Sequence, residues 1–273
     1  MGRFPDPTES NTTLQFDLHI GIDYSGAKTP TSRLSGIQVY SAGASGEPEI
    51  VHSPTSTIKK RRNWCRREVA NWLIEVARSG KTFIVGIDHG FSFPLSYFQE
   101  FNIASWHKCL DDFCLHWPTA GDDITVDSIR KQYAGPPIRT GSPKELRLTE
   151  KWTSSAKSVF LFDVQGSVAK STHAGLPWLR HIRDELNGRI HVWPFDGWHV
   201  PEGKCVLAEV YPSLFRRRYP TADRTTDQQD AYAVSRWLAE SDRTSTLFNY
   251  LSPPLTKEDQ KISDLEGWIL GVR

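Results

Sequence analysis

Cysteine is scarce in this sequence: Cys65, Cys109, Cys114 and Cys205 are four residues in 273. None forms a Cys-x-x-Cys pair, which argues against zinc ribbons and redox dithiols and leaves reduced, structural thiols as the expectation. A run of about 18 apolar residues is also missing. The start, Met1-Gly-Arg-Phe-Pro-Asp-Pro, has no apolar signal core, so a soluble cytoplasmic protein with no membrane partner is expected. Charge of one sign is lacking too. The formal net charge of +1 gives no global field that would recruit a polyanion, and leaves only a local patch to do so. Low-complexity segments are absent, and the one internal echo is the tripeptide Gly-Ile-Asp, which occurs twice.

What remains is ordinary globular material. With 38% hydrophobic and 24% charged residues the chain can bury a full core, and one domain with an insertion is the natural count. Residues 1–14 mix Pro, Thr, Ser and Asn without periodicity and predict a flexible tail, so the domain spans 15–273. The stretch Leu18-His-Ile-Gly-Ile-Asp23-Tyr-Ser-Gly-Ala-Lys28 is an apolar strand that ends on a carboxylate and turns on small residues. Residues 36–40 and 49–52 predict two further strands, separated by Gly43, Gly46 and Pro48, which makes an antiparallel meander.

Residues 59–78 change to helical spacing, with Gly80 at the C-terminal cap position, and lead into a strand ending Phe83-Ile-Val-Gly-Ile-Asp88. A helix between the two strands implies a right-handed crossover and a parallel pair, with Asp23 and Asp88 side by side. Residues 94 to about 200 read as an insertion. Helices are predicted there at 96–101, 104–117 and 126–133, another starting near Pro177, and a strand at 189–194. Residues 205–212 return to a core strand carrying Glu209. A helix at 227–239 follows with Asp227 and Asp230 in its first turns, then a polar helix at 257–264.

The chemistry is carried by Asp23, Asp88, Glu209, Asp227 and Asp230. Carboxylates gathered at one site repel and raise one another's pKa, so such a cluster favours divalent cations, and hard oxygen donors select magnesium or manganese. Two ions about 3.5–4 Å apart can cleave a phosphodiester without a protein nucleophile. Ser25 and Lys28 in the first turn, His89 beside Asp88, and Arg147 are candidate substrate contacts. The run Lys59, Lys60, Arg61, Arg62, Arg66 and Arg67 places cations at a helix start, where the macrodipole disfavours them, and points to nucleic acid as a partner.

Five blocks in this order carry a family resemblance: Gly21-Ile-Asp-Tyr-Ser-Gly26, Val85-Gly-Ile-Asp-His-Gly-Phe-Ser-Phe-Pro94, Ala208-Glu-Val-Tyr-Pro212, Asp227-Gln-Gln-Asp-Ala231 and Glu266-Gly-Trp-Ile269. Over roughly residues 16–270 the chain resembles the domain-of-unknown-function family 429, regarded as nucleases of the ribonuclease H-like fold. The resemblance implies an α/β fold: a mixed five-stranded sheet, its first three strands antiparallel and the rest parallel, flanked by helices. It also implies acids from the first strand, the fourth strand and a late helix. The Asp-x-x-Asp spacing is similar to that of Holliday-junction resolvases. His89 and Phe91 depart from the alanine and leucine more usual in the family.

Each candidate has a plainer reading. Asp23 could cap a turn, Asp227 and Asp230 could complement a helix start, Glu209 could pair with Arg216 or Arg217, and His89 could be structural. The ten tryptophans, Trp152, Trp178, Trp193 and Trp198 among them, are more often core than base-stacking platforms. Two other functions stay open. One is a sugar-kinase or actin-like phosphotransferase, which shares the Gly-x-Asp-x-Ser opening but needs a second domain and a late glycine-rich motif. The other is a binding module that keeps the acids without turnover. Oligomeric state is left open by the sequence.

Overall fold

The structure is a computed structural model and describes residues 16–43, 46–54, 63–132, 134–153 and 155–273. The expected tail and Lys59 to Arg62 lie outside the described residues. Six strands form one sheet: β1 (Leu18–Asp23), β2 (Gln38–Gly43), β3 (Glu49–Ile50), β4 (Phe83–Ile87), β5 (Ile190–Trp193) and β6 (Cys205–Glu209), in the order β3-β2-β1-β4-β6-β5. The first three pair antiparallel and the rest parallel.

Strand count is the first correction. The segment at 189–194, assigned to the insertion, is the sheet's outer strand, paired parallel to β6. Its apolar side chains need cover on both faces, and the sheet edge supplies it: all four residues are buried. The insertion therefore gives two of its elements to the body of the fold, β5 and the helix before it.

Both sheet faces are covered, which is why β4 and β6 are buried at every position. On one face Ile20, Ile22, Val85, Ile87 and Leu207 pack with Val69 and Leu73 of α1 (Arg66–Arg78), and with α3 (Trp106–His116) and α6 (Ala169–Glu185). On the other, Ile84, Val206, Ala208 and Val210 pack with Val234, Trp237 and Leu238 of α7 (Thr226–Arg243). Smaller helices complete the chain: α2 (Leu95–Glu100), α4 (Val126–Lys131), α5 (Leu148–Lys151), α8 (Leu247–Leu251) and α9 (Lys257–Glu266). Among the described residues, no helix is long and apolar enough to cross a membrane.

Gly21 and Gly86 explain the repeated tripeptide. They are register partners in β1 and β4, on the face α7 covers. A Cβ on Gly21 would come within 2.0 Å of the Ala231 carbonyl, and one on Gly86 within 2.7 Å of Val234. Glycine at both positions lets α7 lie directly on the strands, which brings its first turns to the strand ends.

Pro177 does not start a helix; it lies inside α6. Proline has no N–H for the carbonyl four residues back, yet that carbonyl, on His173, accepts the Thr119 hydroxyl at 2.6 Å. The borrowed hydroxyl replaces the missing donor and the helix runs through.

The basic helix start is also revised. Arg66 is buried and donates to the carbonyls of Ser25, Ala27 and Lys28 at 2.7–3.0 Å, so it braces the loop after β1 and is not available to a nucleic acid. Arg67 pairs with Asp122. Most tryptophans are core residues, Trp178 and Trp193 included, while Trp152 is 45% exposed.

Candidate functional site

Alternation along β1 sends Gly21 and Asp23 toward α7 and Ile20 and Ile22 the other way. β4 repeats the pattern. The Asp88 amide donates to the Ile22 carbonyl at 3.0 Å, continuing the β1–β4 pairing by one step and setting Asp88 beside Asp23. Opposite them begins α7, capped at Thr225, whose hydroxyl accepts the Gln228 amide while the Gln228 side chain accepts the Thr225 amide. Asp230 follows on the face turned toward the sheet and is buried; Asp227, one turn earlier, is half-buried.

Three of the expected acids thus converge from β1, β4 and α7, with Asp227 at the margin. Burial first, and then the charges of Asp88, Asp227 and Asp230, push the Asp23 carboxyl up to about 9. Burial, then Asp230 and Glu209, push Asp88 up to about 7. The Asp23 side chain, within hydrogen-bonding reach, tempers the rise at Asp88, and both carboxyls stay above the usual aspartate range. Asp230 is also raised, mainly by burial, against the opposing pull of Arg216.

Arg216 is the residue that sequence reasoning misplaced. Its Nε and Nη2 donate to the two carboxylate oxygens of Asp230 as a fork. It belongs to the second of two 3-10 turns after β6, Pro212–Leu214 and Arg216–Arg218. Phe215 stacks on Trp237 with ring centroids 4.0 Å apart, and the Gln229 side chain donates to the Arg216 carbonyl at 3.1 Å. The adjacent run of three arginines was the available signal, but it did not reveal which acid they face.

Glu209 adds its charge to Asp88, but its carboxylate is bound elsewhere. It pairs in register with Ile87, not with Asp88, and so follows Leu207 to the opposite face of the sheet. There Arg147 binds both its oxygens, at 2.8 and 2.5 Å, and the Phe91 amide donates to it at 2.8 Å. Arg147 is 1% exposed and also binds Glu150 at 2.9 Å through Nε, so the expected substrate contact is a buried structural cation. Glu266 completes this network by accepting the Leu95 and Leu148 amides at 2.6 and 2.5 Å. The blocks around Glu209 and Glu266 are therefore held together for architecture.

His89 is a packed residue. Its ring is buried between Tyr24 and Phe91, and Nδ1 donates to the Gly90 carbonyl at 2.9 Å. Burial holds it down at about 4, so it is neutral and packed, with neither the charge nor the access to contact substrate. Ser25 and Lys28 stay at the rim. A Cβ placed on Gly36 would lie 3.7 Å from both Ser25 Oγ and Asp227 Oδ2, which puts the serine and the aspartate on one ledge. Lys28 is exposed on a left-handed backbone, φ 53°.

As the side chains stand, no three histidine, cysteine, aspartate or glutamate residues among the described ones are arranged to hold a metal ion. Arg216 is the cation paired with Asp230. The donor chemistry nonetheless fits a hard divalent cation: Asp23, Asp88 and Asp230 are carboxylates with more negative charge than one guanidinium balances. Comparison with known proteins yields no matching family model, no matching curated protein and no matching solved structure.

Proposed function

We propose that this chain is a magnesium- or manganese-dependent nuclease of the ribonuclease H-like kind, hydrolysing phosphodiester bonds of nucleic acid. The observation that carries the reading is the convergence of Asp23 from β1, Asp88 from β4 and Asp230 from α7 on one end of a mixed sheet whose first three strands are antiparallel. That is where the resemblance to the domain-of-unknown-function family 429 puts its acids, and β5 is one strand more than the five of that pattern. Asp23, whose carboxyl feels the charges of Asp88, Asp227 and Asp230, is the shared ligand; Asp88 and Asp230 complete the set, with Asp227 at its edge. Glu209 is excluded by its pairing with Arg147.

A divalent cation bound there supplies Lewis acidity toward the phosphodiester and lowers the pKa of the attacking water. The chain's own contribution is positioning. The Gly21 and Gly86 contacts fix α7 against the strands, and Arg66 holds the loop that presents Ser25 and Lys28 to a phosphate.

The test is cleavage of labelled RNA, DNA and hybrid duplexes by the purified chain in magnesium or manganese, beside Asp23→Asn. Metal-dependent product from the wild type, and loss of at least about a hundredfold in the variant, is expected. Nucleic-acid binding with no product on any substrate would favour the binding module instead, and absence of both would overturn the nucleic-acid reading.

A further inference from the structure

Arg216 is fixed at its backbone, and its side chain reaches Asp230 from a partly exposed position. Phe215 before it is 1% exposed and stacked on Trp237, and the Arg216 carbonyl is fixed by Gln229. The side chain itself is 41% exposed, while Asp230, which it grips, is 7% exposed. A side chain with that much solvent contact can leave its partner by rotating its own torsions, without moving the turn.

Its grip also has a chemical consequence. Both Asp230 oxygens receive donors from Arg216, which occupies the chelating edge of the carboxylate, so the guanidinium and a cation ligated by Asp230 compete for that edge and for its one negative charge. An arginine displaced from Asp230 remains tethered at the rim of the acidic cluster, beside the exposed Arg217 and Arg218. The planar fork matches a phosphate as well as a carboxylate.

We propose that Arg216 is an exchangeable counter-ion: it neutralises Asp230 in competition with a divalent cation, and once displaced it binds the phosphate of the substrate. This rests on the reading of Asp23, Asp88 and Asp230 as a metal centre and adds a role for a residue outside that set. The exchange keeps the cluster partly neutralised at each stage and links cation binding to substrate grip.

The experiment is a calorimetric titration of manganese into the full chain, wild type and Arg216→Gln, followed by anisotropy of a labelled phosphorothioate oligothymidylate in saturating manganese. The glutamine variant is expected to bind manganese about fivefold more tightly, since a competitor of about 1 kcal/mol is removed. It is expected to bind the oligonucleotide about tenfold more weakly, because a charge-assisted phosphate contact is lost. Arg216→Lys, which keeps the charge but loses the fork, carries the same comparison, with smaller changes in the same directions, should the glutamine variant not fold. Unchanged or weaker manganese binding in the variant, beside normal binding in the wild type, overturns the exchange and leaves the metal centre standing. Tighter manganese binding with unchanged oligonucleotide affinity overturns the phosphate role. No manganese binding by either protein overturns the exchange together with the metal centre.

Discussion

At the scale of single residues, the paired acids make a prediction about pH. Unfolded aspartates lose their protons near pH 4, whereas in the fold Asp23 and Asp88 keep theirs up to about 9 and about 7. Between those limits the native chain binds more protons than the unfolded one, so these groups cost stability progressively as pH rises through the window. Asp23→Asn removes the larger cost. Its melting temperature should exceed that of the wild type by a few degrees at about pH 8, with the gap narrowing toward pH 5. A gap of constant size would show that Asp23 is not held protonated. Asp23 and Asp88 were legible in the sequence because a charge that ends an apolar strand is conspicuous, and the same tripeptide marked both. Glu209 looked equivalent, but the register of β6 offsets it by one residue, and a one-residue offset sends a side chain to the opposite face. Nothing within a single strand reveals its register against a neighbour.

At the scale of elements, Arg147 and Gly21 hold the parts in place. Arg147 links α5 to β6, and its acidic partners Glu150 and Glu209 are all but sealed from water. Arg147→Ala leaves two buried carboxylates without their cation, and a loss of about 3–5 kcal/mol is expected in urea unfolding. A loss below about 1 kcal/mol would mean that the network is dispensable. Gly21→Ala drives a methyl group into the Ala231 carbonyl, so α7 must lift from β1. The expected cost is about 1–3 kcal/mol, accompanied by weaker manganese binding because Asp230 retreats from Asp23. Stability lost with manganese affinity intact would separate the helix contact from the site. The α1 and α7 periodicities were readable, since amphipathic spacing reports an element's own burial. The length of α6 was not: a proline inside a helix is admissible only because of a hydroxyl more than fifty residues earlier in the chain, on Thr119.

At the scale of the whole molecule, the sheet order turns local acids into a site. The antiparallel meander followed by a parallel crossover was deducible from three strand patterns before residue 53 with no helical stretch between them, and from the helix that precedes β4. The sixth strand was not, because a short buried run at the end of a helical segment reads alike whether it joins the sheet or a satellite cluster. With β1 and β4 adjacent and α7 laid across them, Asp23, Asp88 and Asp230 meet although they span more than two hundred residues of chain. Their proposed metal centre is tested most directly by titrating manganese into the protein at about pH 7.5 in two buffers of different ionisation enthalpy. Binding should release about one proton per ion, because the Asp23 carboxyl, pushed up to about 9, must give up its proton to ligate, and both the binding and the proton release should vanish in Asp23→Asn. Binding without proton release, or binding retained in Asp23→Asn, would contradict the account.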